Sequence, residues 1–428
     1  MRKYCRVSTT ALALLPVLAF GGAAVAHAAD AATDTGARVR VTENGTIITP
    51  SSSLPRPGMA GRAHTNVEIF VPRGRSMRST KPGGLNETPA SLACLYGVTK
   101  NAEYCNPTTL TTVATGGSKM IAIVDAYDNA RALSDLEVYS KQYGLPAPTS
   151  DTFQVVYASG TKPGVDSTGG WELEESLDID MAHAIAPKAK VVLVEAATDS
   201  TADLVQAEHV AIKMVEAAGG GEVTNSWGGE EYGAEANLEK DFTGNHVVVF
   251  ASAGDSPGVI EPSALADVVS VGGTSVERSV KGKFIRQVTW SSGGGGVSDF
   301  VPTPSFQSSL TGIVGIRRGT PDVAAVANPQ TGVWVYDTNP YSGQVLKWVV
   351  LGGTSVASPL MAAITNQSGN FAASANDFLT GLYAELGNAA DLYDVTHGVC
   401  NNAASGTASV GYDLCTGIGT PASRALKK

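Results

Sequence analysis

Positive charge, histidine and cysteine are all scarce in this chain, and each shortage excludes something. Thirty Lys and Arg stand against 40 Asp and Glu, a formal net charge of −10, which argues against nucleic acid as a partner. Histidine occurs six times in 428 residues. None lies in an H-G-T-H-like strand-to-helix start, so the usual general base has no evident candidate. His183 alone falls inside a strong helical pattern. Charged residues make up 16% of the chain while Gly reaches 48, which excludes a helical bundle or a disordered chain and suggests a loop-rich α/β protein. No internal repeat is visible. After the first residues no apolar run is long enough to span a bilayer.

Those first residues read as a secretory signal, residues 1–28. Arg2, Lys3 and Arg6 form a basic start, residues 10–26 are mostly apolar, and Ala26-His27-Ala28 is an A-x-A cleavage pattern. The expectation is an exported, secreted protein with no membrane contact once the signal is cut. Cys5 leaves with the signal, and Cys94, Cys105, Cys400 and Cys415 remain. Four cysteines allow three pairings. Local pairing, Cys94–Cys105 and Cys400–Cys415, is expected in an oxidising compartment. Zinc is the alternative, but neither pair has the close spacing of a zinc knuckle.

Residues 29–86 are set apart. They hold little sustained apolar pattern, much Pro, Gly, Ser and Thr, and a basic run at Arg73, Arg75, Arg78 and Lys81. A basic leader before an acidic body suggests a short, removable pro-segment held partly by charge, or a linker. The cleavage point is expected near 80–90, and 87–428 is read as one domain. From about residue 118 apolar runs alternate with helical patterns. The expected strands are 120–125, 153–157, 190–196, 222–227, 246–253 and 267–273. The expected helices include 132–143, 173–186 and 202–217. This pattern indicates a mostly parallel central sheet with helices on both faces, and functional groups at the carboxyl ends of its strands. Residues 289–345 read as irregular, with short strands.

Four stretches carry chemistry. In VLGGTSVASPLMA (350–362) an apolar strand end meets a Gly-Gly turn and a helix. Ser355 sits at the helix N-terminus, where free N–H groups favour developing negative charge. Pro359 is placed in the opening turn. The same segment also fits a Ser/Thr cap before a buried helix. In the helix before Pro187, Leu173, Leu177, Met181 and Ile185 recur every four residues toward a core. Glu174 and Asp178 share another face, and like charges at that spacing repel unless they share a proton. A solvated acidic face is the plainer reading. In HVVVFASAGDSPG (246–258) a buried strand ends before Asp255, whose carboxyl, if protonated, could donate to an oxyanion. It also suits an ordinary turn. In Asn225-Ser226-Trp227-Gly228-Gly229 the exposed backbone of a strand end could pair with an extended peptide.

Together these stretches resemble the sedolisin family, the serine-carboxyl peptidases, whose fold is similar to that of subtilisin. The resemblance covers roughly residues 88–428, in order. GGTSVASP matches the nucleophile motif, ESLDIDMAHAIAP with the preceding Glu174 the E-x-x-x-D helix, ASAGDS the oxyanion segment, and NSWGG the substrate strand. SSGGGGVS (291–298) and TPDVAAVANP (320–329) also look like family segments. The resemblance implies an α/β, subtilisin-like three-layer fold and a monomer acting on polypeptides as a serine endopeptidase at acidic pH. It implies Ser355 as nucleophile, Glu174 as base, Asp178 as its partner and Asp255 as oxyanion donor. Ser226, Trp227 and Gly228 would hold substrate. The stretch 393–421 is similar to the family's calcium loop, implying one Ca²⁺ held by carboxylates of Asp394 and Asp413 and carbonyls of Val395, Ser409 and Gly411. Ser409 stands where a glycine is expected. Family members usually carry a long folded pro-domain, whereas here only residues 29–86 separate the signal from the matching region. A conventional subtilase, or an exported peptide-binding protein on a peptidase scaffold, are the competing readings.

Overall fold

The computed structural model describes residues 36–55, 61–100, 103–400 and 406–422. The expected signal, 1–28, lies outside the described residues. In chain order the strands used below are β1 (Arg38–Val41), β2 (Gly45–Thr49), β3 (His64–Thr65), β4 (Glu68–Pro72), β5 (Met120–Ala126), β6 (Phe153–Tyr157), β7 (Lys190–Ala196) and β8 (Gly221–Asn225). They continue as β9 (Trp227–Glu230), β10 (Val247–Ser252), β11 (Ile260–Glu261), β12 (Val268–Arg278), β13 (Phe284–Thr289), β14 (Val323–Val326), β15 (Val333–Tyr341) and β16 (Gln344–Gly352). The main helices are α1 (Ala132–Tyr143), α2 (Gly170–Ile185), α3 (Thr201–Ala217) and α4 (Thr354–Ser368).

The central sheet runs β13-β12-β10-β8-β5-β7-β6, with β14 also paired to β12. Every pairing is parallel except β12 with the edge strand β13. Its strands are apolar on both faces because both faces are covered. Ile121 and Ile123 of β5 join a core with Leu173 and Leu177 of α2 and Leu360 of α4. Ala122 and Val124 point the other way, to Leu204, Ala211 and Val215 of α3. The α/β, three-layer architecture is therefore as expected, with the strand and helix bounds displaced by a few residues at most. The register sets Val124 and Ala251 both beside Asn225, so β5, β8 and β10 end at one edge.

Two regions depart from expectation. The described part of 29–86 does not stand apart from the body. β1, β2 and β4 join β16 and β15 in a five-stranded sheet of order β1-β2-β4-β16-β15. Ile47, Ile48, Ile69 and Val71 are buried in the main core. The runs are only four or five residues long and their partner strand lies far along the chain, so no local periodicity announces them. Residues 289–345, read as irregular, hold the nine-residue β15, hairpinned to β16. A register shift between Asp337 and Pro340 breaks its alternation. Both expected disulfides, Cys94–Cys105 and Cys400–Cys415, are formed. No helix among the described residues is long and apolar enough to cross a membrane.

One buried ion pair ties the sheet's far side together. Arg318 and Asp322 are both fully buried. The guanidinium donates to both Asp322 oxygens at 2.9 and 2.7 Å, and to the Leu265 and Val268 carbonyls at 3.1 and 2.9 Å. Asp322 also accepts from Tyr383 Oη at 2.7 Å and the Ser270 N–H at 2.8 Å. Removing one member strands the other charge in the core. We expect Arg318→Met to lower unfolding stability by about 3–5 kcal/mol, measured by denaturant titration. A loss no larger than that of a surface substitution would contradict this role.

Candidate active site

The site forms where α2 and α4 meet the ends of β5, β8 and β10. Gly353 caps α4 with φ 111°, a backbone region that disfavours a side chain. A Cβ there would fall 2.0 Å from the Asn66 carbonyl oxygen and 2.5 Å from Asp255 Oδ2. The Gly353 N–H donates to the Ala327 carbonyl at 2.6 Å, inside the 320–329 stretch that the sequence singled out. Ser355 follows in the first turn and is fully buried.

Pro359 lies not in the opening turn, as expected, but in the second turn of α4. A residue there would normally donate to the carbonyl four residues back, that of Ser355. Ser226 Oγ reaches this carbonyl instead, at 3.3 Å, and also donates to Asp178 Oδ1 at 2.9 Å. One hydroxyl therefore links the nucleophile's helix to the acidic helix.

Glu174 and Asp178 are fully buried on α2, so the solvated-face reading fails. Neither Glu174 oxygen, nor Asp178 Oδ2, has a hydrogen bond of ordinary geometry. Burial pushes the Glu174 carboxyl well above its usual range, and the negative fields of Asp178 and Asp125 push it further. The Ser355 hydroxyl pulls it the other way. That hydroxyl donates to the Ser226 carbonyl at 3.2 Å. Burial likewise pushes Asp178 well up, opposed by its bonds to Ser226 and Glu174. His183, inside the helix as expected, has its Nε2 2.8 Å from the Pro146 carbonyl. His64, His209 and His397 bond to Thr65, Asp241 and Thr396, and none of them bonds Ser355.

Asp255 lies three residues beyond β10. Its Oδ1 accepts from the Thr354 N–H at 2.7 Å and Thr354 Oγ1 at 2.8 Å. Its Oδ2 is buried without a partner and faces the Asn66 carbonyl across Gly353. The residue keeps some exposure, but through atoms other than that oxygen. Burial, then the charge of Glu68, raises its pKa well above the usual value, against the two Thr354 bonds. A carboxyl raised in this way, with one oxygen free of partners, is suited to donate a hydrogen bond when protonated.

The expected strand 222–227 ends at Asn225; Ser226 links it to β9, which opens with Trp227 and Gly228, and whose edge is taken. β3 pairs antiparallel with β9, His64 opposite Gly228 and Thr65 opposite Trp227. The Asn66 N–H donates to the Ser226 carbonyl and the Ser355 N–H to the Asn66 carbonyl, both at 3.2 Å. Trp227 itself points inward, fully buried, its Nε1 donating to the Val124 carbonyl at 2.9 Å. Asp125, at the end of β5, went unmarked in the sequence. It is fully buried, neither oxygen has a partner, and its field acts on Glu174. An acid closing an otherwise aliphatic run, MIAIVDA, was the available signal.

The loop expected to hold calcium lies apart from these groups. Asp413 accepts from the Cys415 and Thr416 N–H groups at 2.9 Å and from the Ser409 N–H at 3.1 Å. Asp394 Oδ2 accepts from the Gly411 N–H at 2.9 Å, while its Oδ1 is buried without a partner. Among the described residues no three His, Cys, Asp or Glu side chains converge as a metal cluster. A hard cation here would use two carboxylates and the carbonyls of Val395, Ser409 and Gly411, and the orphaned Asp394 oxygen fits that demand.

No protein-family model matches the chain. It is similar to kumamolisin of Bacillus sp. (strain MN-32), 31% identical over 345 residues, covering 72% of this chain and 59% of that protein. It is similar to sedolisin of Pseudomonas sp. (strain 101), 24% identical over 371 residues, covering 74% of this chain and 59% of that protein. The chain thus spans less than two thirds of the length of either relative. The solved structure of Pseudomonas sedolisin, a serine-carboxyl proteinase complexed with two molecules of pseudo-iodotyrostatin, matches with a TM-score of 0.62 at 20% identity. That match covers 81% of this chain and 98% of the other, and shows a shared fold.

Buried acids extend well beyond Ser355. Burial pushes Glu172, Glu195, Glu208 and Glu222 up to about 8, and Glu261 and Asp337 up to about 7. Each folded value lies above its unfolded value of about 4. The stabilisation they give is therefore complete below about pH 4 and is lost as pH rises through 7 to 8. The melting temperature of a Ser355→Ala variant should be highest in acid and fall steadily toward pH 8 by calorimetry. A maximum at neutral pH would contradict the assignment of these protons.

Proposed function

The chain belongs to the sedolisin family, and on that premise we propose that it is an exported, acid-active serine endopeptidase that hydrolyses polypeptides. The observation that carries this reading is a serine at a helix N-terminus, buried beside the buried carboxyls of Glu174 and Asp178, with no histidine among the described residues hydrogen-bonded to it. The competing subtilase reading needs such a histidine. A scaffold that only binds peptide leaves the cost of burying Glu174, Asp178 and Asp125 together unexplained.

Ser355 Oγ attacks the carbonyl carbon of the scissile bond. Glu174 takes the hydroxyl proton and returns it to the leaving amine. Asp178, held by Ser226, keeps Glu174 oriented and shares the proton load of the pair. The Ser355 N–H and the protonated Asp255 Oδ2 receive the oxyanion. Asp255 must keep its proton, which acid favours, while Glu174 must start without one so that it can accept the hydroxyl's; activity therefore needs a pH low enough for the first condition and high enough for the second. Extended substrate pairs with the Ser226–Gly228 edge, now filled by β3.

The Asp394–Asp413 loop is proposed to hold calcium, which would cross-link it as a hard cation. The Cys400–Cys415 bridge spans the same loop. Signal cleavage and loss of an N-terminal segment complete the reading, with a monomer as the working form.

The test is hydrolysis of an unfolded protein from pH 2.5 to 9. Wild type should show an acidic optimum. Glu174→Gln should lower kcat by about 10²–10⁴-fold and Asp255→Ala by about 10²–10³-fold, with Ser355→Ala inactive. An alkaline optimum indifferent to Glu174 would overturn the mechanism. Separately, calcium at about 100 times its Kd should stabilise the wild type by about 2.7 kcal/mol and an Asp394→Asn variant much less. Equal melting temperatures with calcium and with chelator would remove the ion from the account.

A further inference from the structure

A three-stranded sheet of order β11-β9-β3 lies beside the site and borders a cavity of about 660 Å³. Asn66, just past β3, offers its carbonyl to the Ser355 N–H. Residues 66, 65, 64 and 63 thus mark the places of a substrate's first four residues, counted back from the scissile carbonyl. Thr65 pairs with Trp227 and His64 with Gly228. Continuing that register sets Ala63 opposite Gly229, and on the other edge of β9 Gly229 pairs with Glu261. Side chains alternate along a strand, so Ala63, Gly229 and Glu261 share the face on which Trp227 is buried. The row holds a methyl group, no side chain, and a carboxyl. A Cβ on Gly229 would stand 3.1 Å from Glu261 Oε1 and 3.6 Å from the Arg62 carbonyl oxygen. Ala63 and Glu261 both line the cavity, and a side chain as small as Ala63 leaves it unfilled. The lining is electrically one-sided. The body supplies Asp199, Glu230, Glu231 and Glu261, while Arg62 and His64, from the segment lying in the cleft, are the cationic residues among the described lining. Glu261 is 2% exposed, and its Oε2 is buried without a partner.

We propose that this cavity takes the fourth residue of an outside polypeptide and selects lysine or arginine there, with Glu261 as the determinant. The proposal rests on the peptidase reading above and gives that site a substrate preference. Adjacent strands lie about 4.8 Å apart, so Ala63 and Glu261 stand roughly 10 Å apart across the bare Gly229. A long basic side chain and a glutamate cover that span between them, whereas an aliphatic side chain leaves the carboxyl unpaired. Burial pushes Glu261 up to about 7. It is neutral in acid, and a cation beside it favours its charged form, so pairing displaces the proton. The ionisable groups around it are Glu230 on β9, Glu231, Tyr232 and Glu235 beyond it, Asp199 beside Arg62, and the segment's own Arg62 and His64. An outside peptide that replaces the segment meets no competing cation among the described lining residues of the body. Its preference for a basic fourth residue rises as pH approaches 7.

The experiment gives the full chain a set of decapeptides that differ only at the fourth residue before the cut, Lys, Met or Glu, at pH 4, 5 and 6. Mass spectrometry locates the cut, and kcat/KM is measured for each peptide. The Lys peptide should exceed the Met peptide by about tenfold at pH 6 and by less at pH 4, with the Glu peptide the poorest. In Glu261→Gln the preference for Lys over Met should disappear, and in Glu261→Lys the order of the Lys and Glu peptides should reverse. Circular dichroism checks folding, and Glu261→Gln decides if Glu261→Lys misfolds. Equal kcat/KM for Lys and Met in the wild type, a basic preference that survives Glu261→Gln, or one at a different position overturns the proposal and leaves the peptidase reading standing. Absence of cleavage of every peptide, with Ser355→Ala as the blank, overturns both.

Discussion

Buried carboxyl oxygens of Glu174, Asp178 and Asp255 gather around one serine, and no Lys, Arg or His among the described residues offsets their charge. An isolated buried carboxylate costs several kcal/mol after relaxation, so three together cannot all be ionised. Protons must stay. In the proposed mechanism that requirement separates the roles: Asp255 would hold a proton to donate, while the Glu174–Asp178 pair would share protons it can exchange with a hydroxyl. A histidine base would instead carry its own positive charge when protonated and would lift this constraint.

Backbone geometry brings the groups together. Parallel strands ending in register deliver Asp125, Ser226 and the Asp255 turn to one edge. Gly353 permits a peptide carbonyl and Asp255 to approach where any side chain would intrude. Pro359 frees the Ser355 carbonyl, and Ser226 ties that carbonyl to Asp178. A single substitution at Gly353 would thus disturb the turn, the oxyanion groups and the peptide path together.

Much of this was legible before any coordinates. Long aliphatic runs gave β5, β7 and β10, because strands covered on both faces must be apolar throughout. The four-residue recurrence of Leu173, Leu177, Met181 and Ile185 fixed which side of α2 is core, and so set Glu174 and Asp178 on a common face. What remained hidden depends on distant partners. Thr46–Thr49 and Glu68–Val71 are too short to show a period, and they become strands only against β16. Asn66 looks like any loop residue until β3 lies along β9. The Arg318–Asp322 pair drew no notice, since sequence cannot show that five carbonyl and carboxylate acceptors surround the guanidinium. Pro359 falls a turn later than expected, because a helix that begins at Thr354 completes its first turn before Pro359.

The retained proton on Asp255 is the centre of the account, and infrared difference spectroscopy observes it directly. Spectra of the Ser355→Ala protein, with and without Asp255→Asn, would be recorded from acid to neutral pH. The account predicts a protonated-carboxyl stretch, absent in the double variant, that persists well above the pH at which ordinary aspartates ionise. Loss of that band near pH 4, with the other carboxyls, would mean that Asp255 is an ordinary carboxylate and that the oxyanion assignment is wrong.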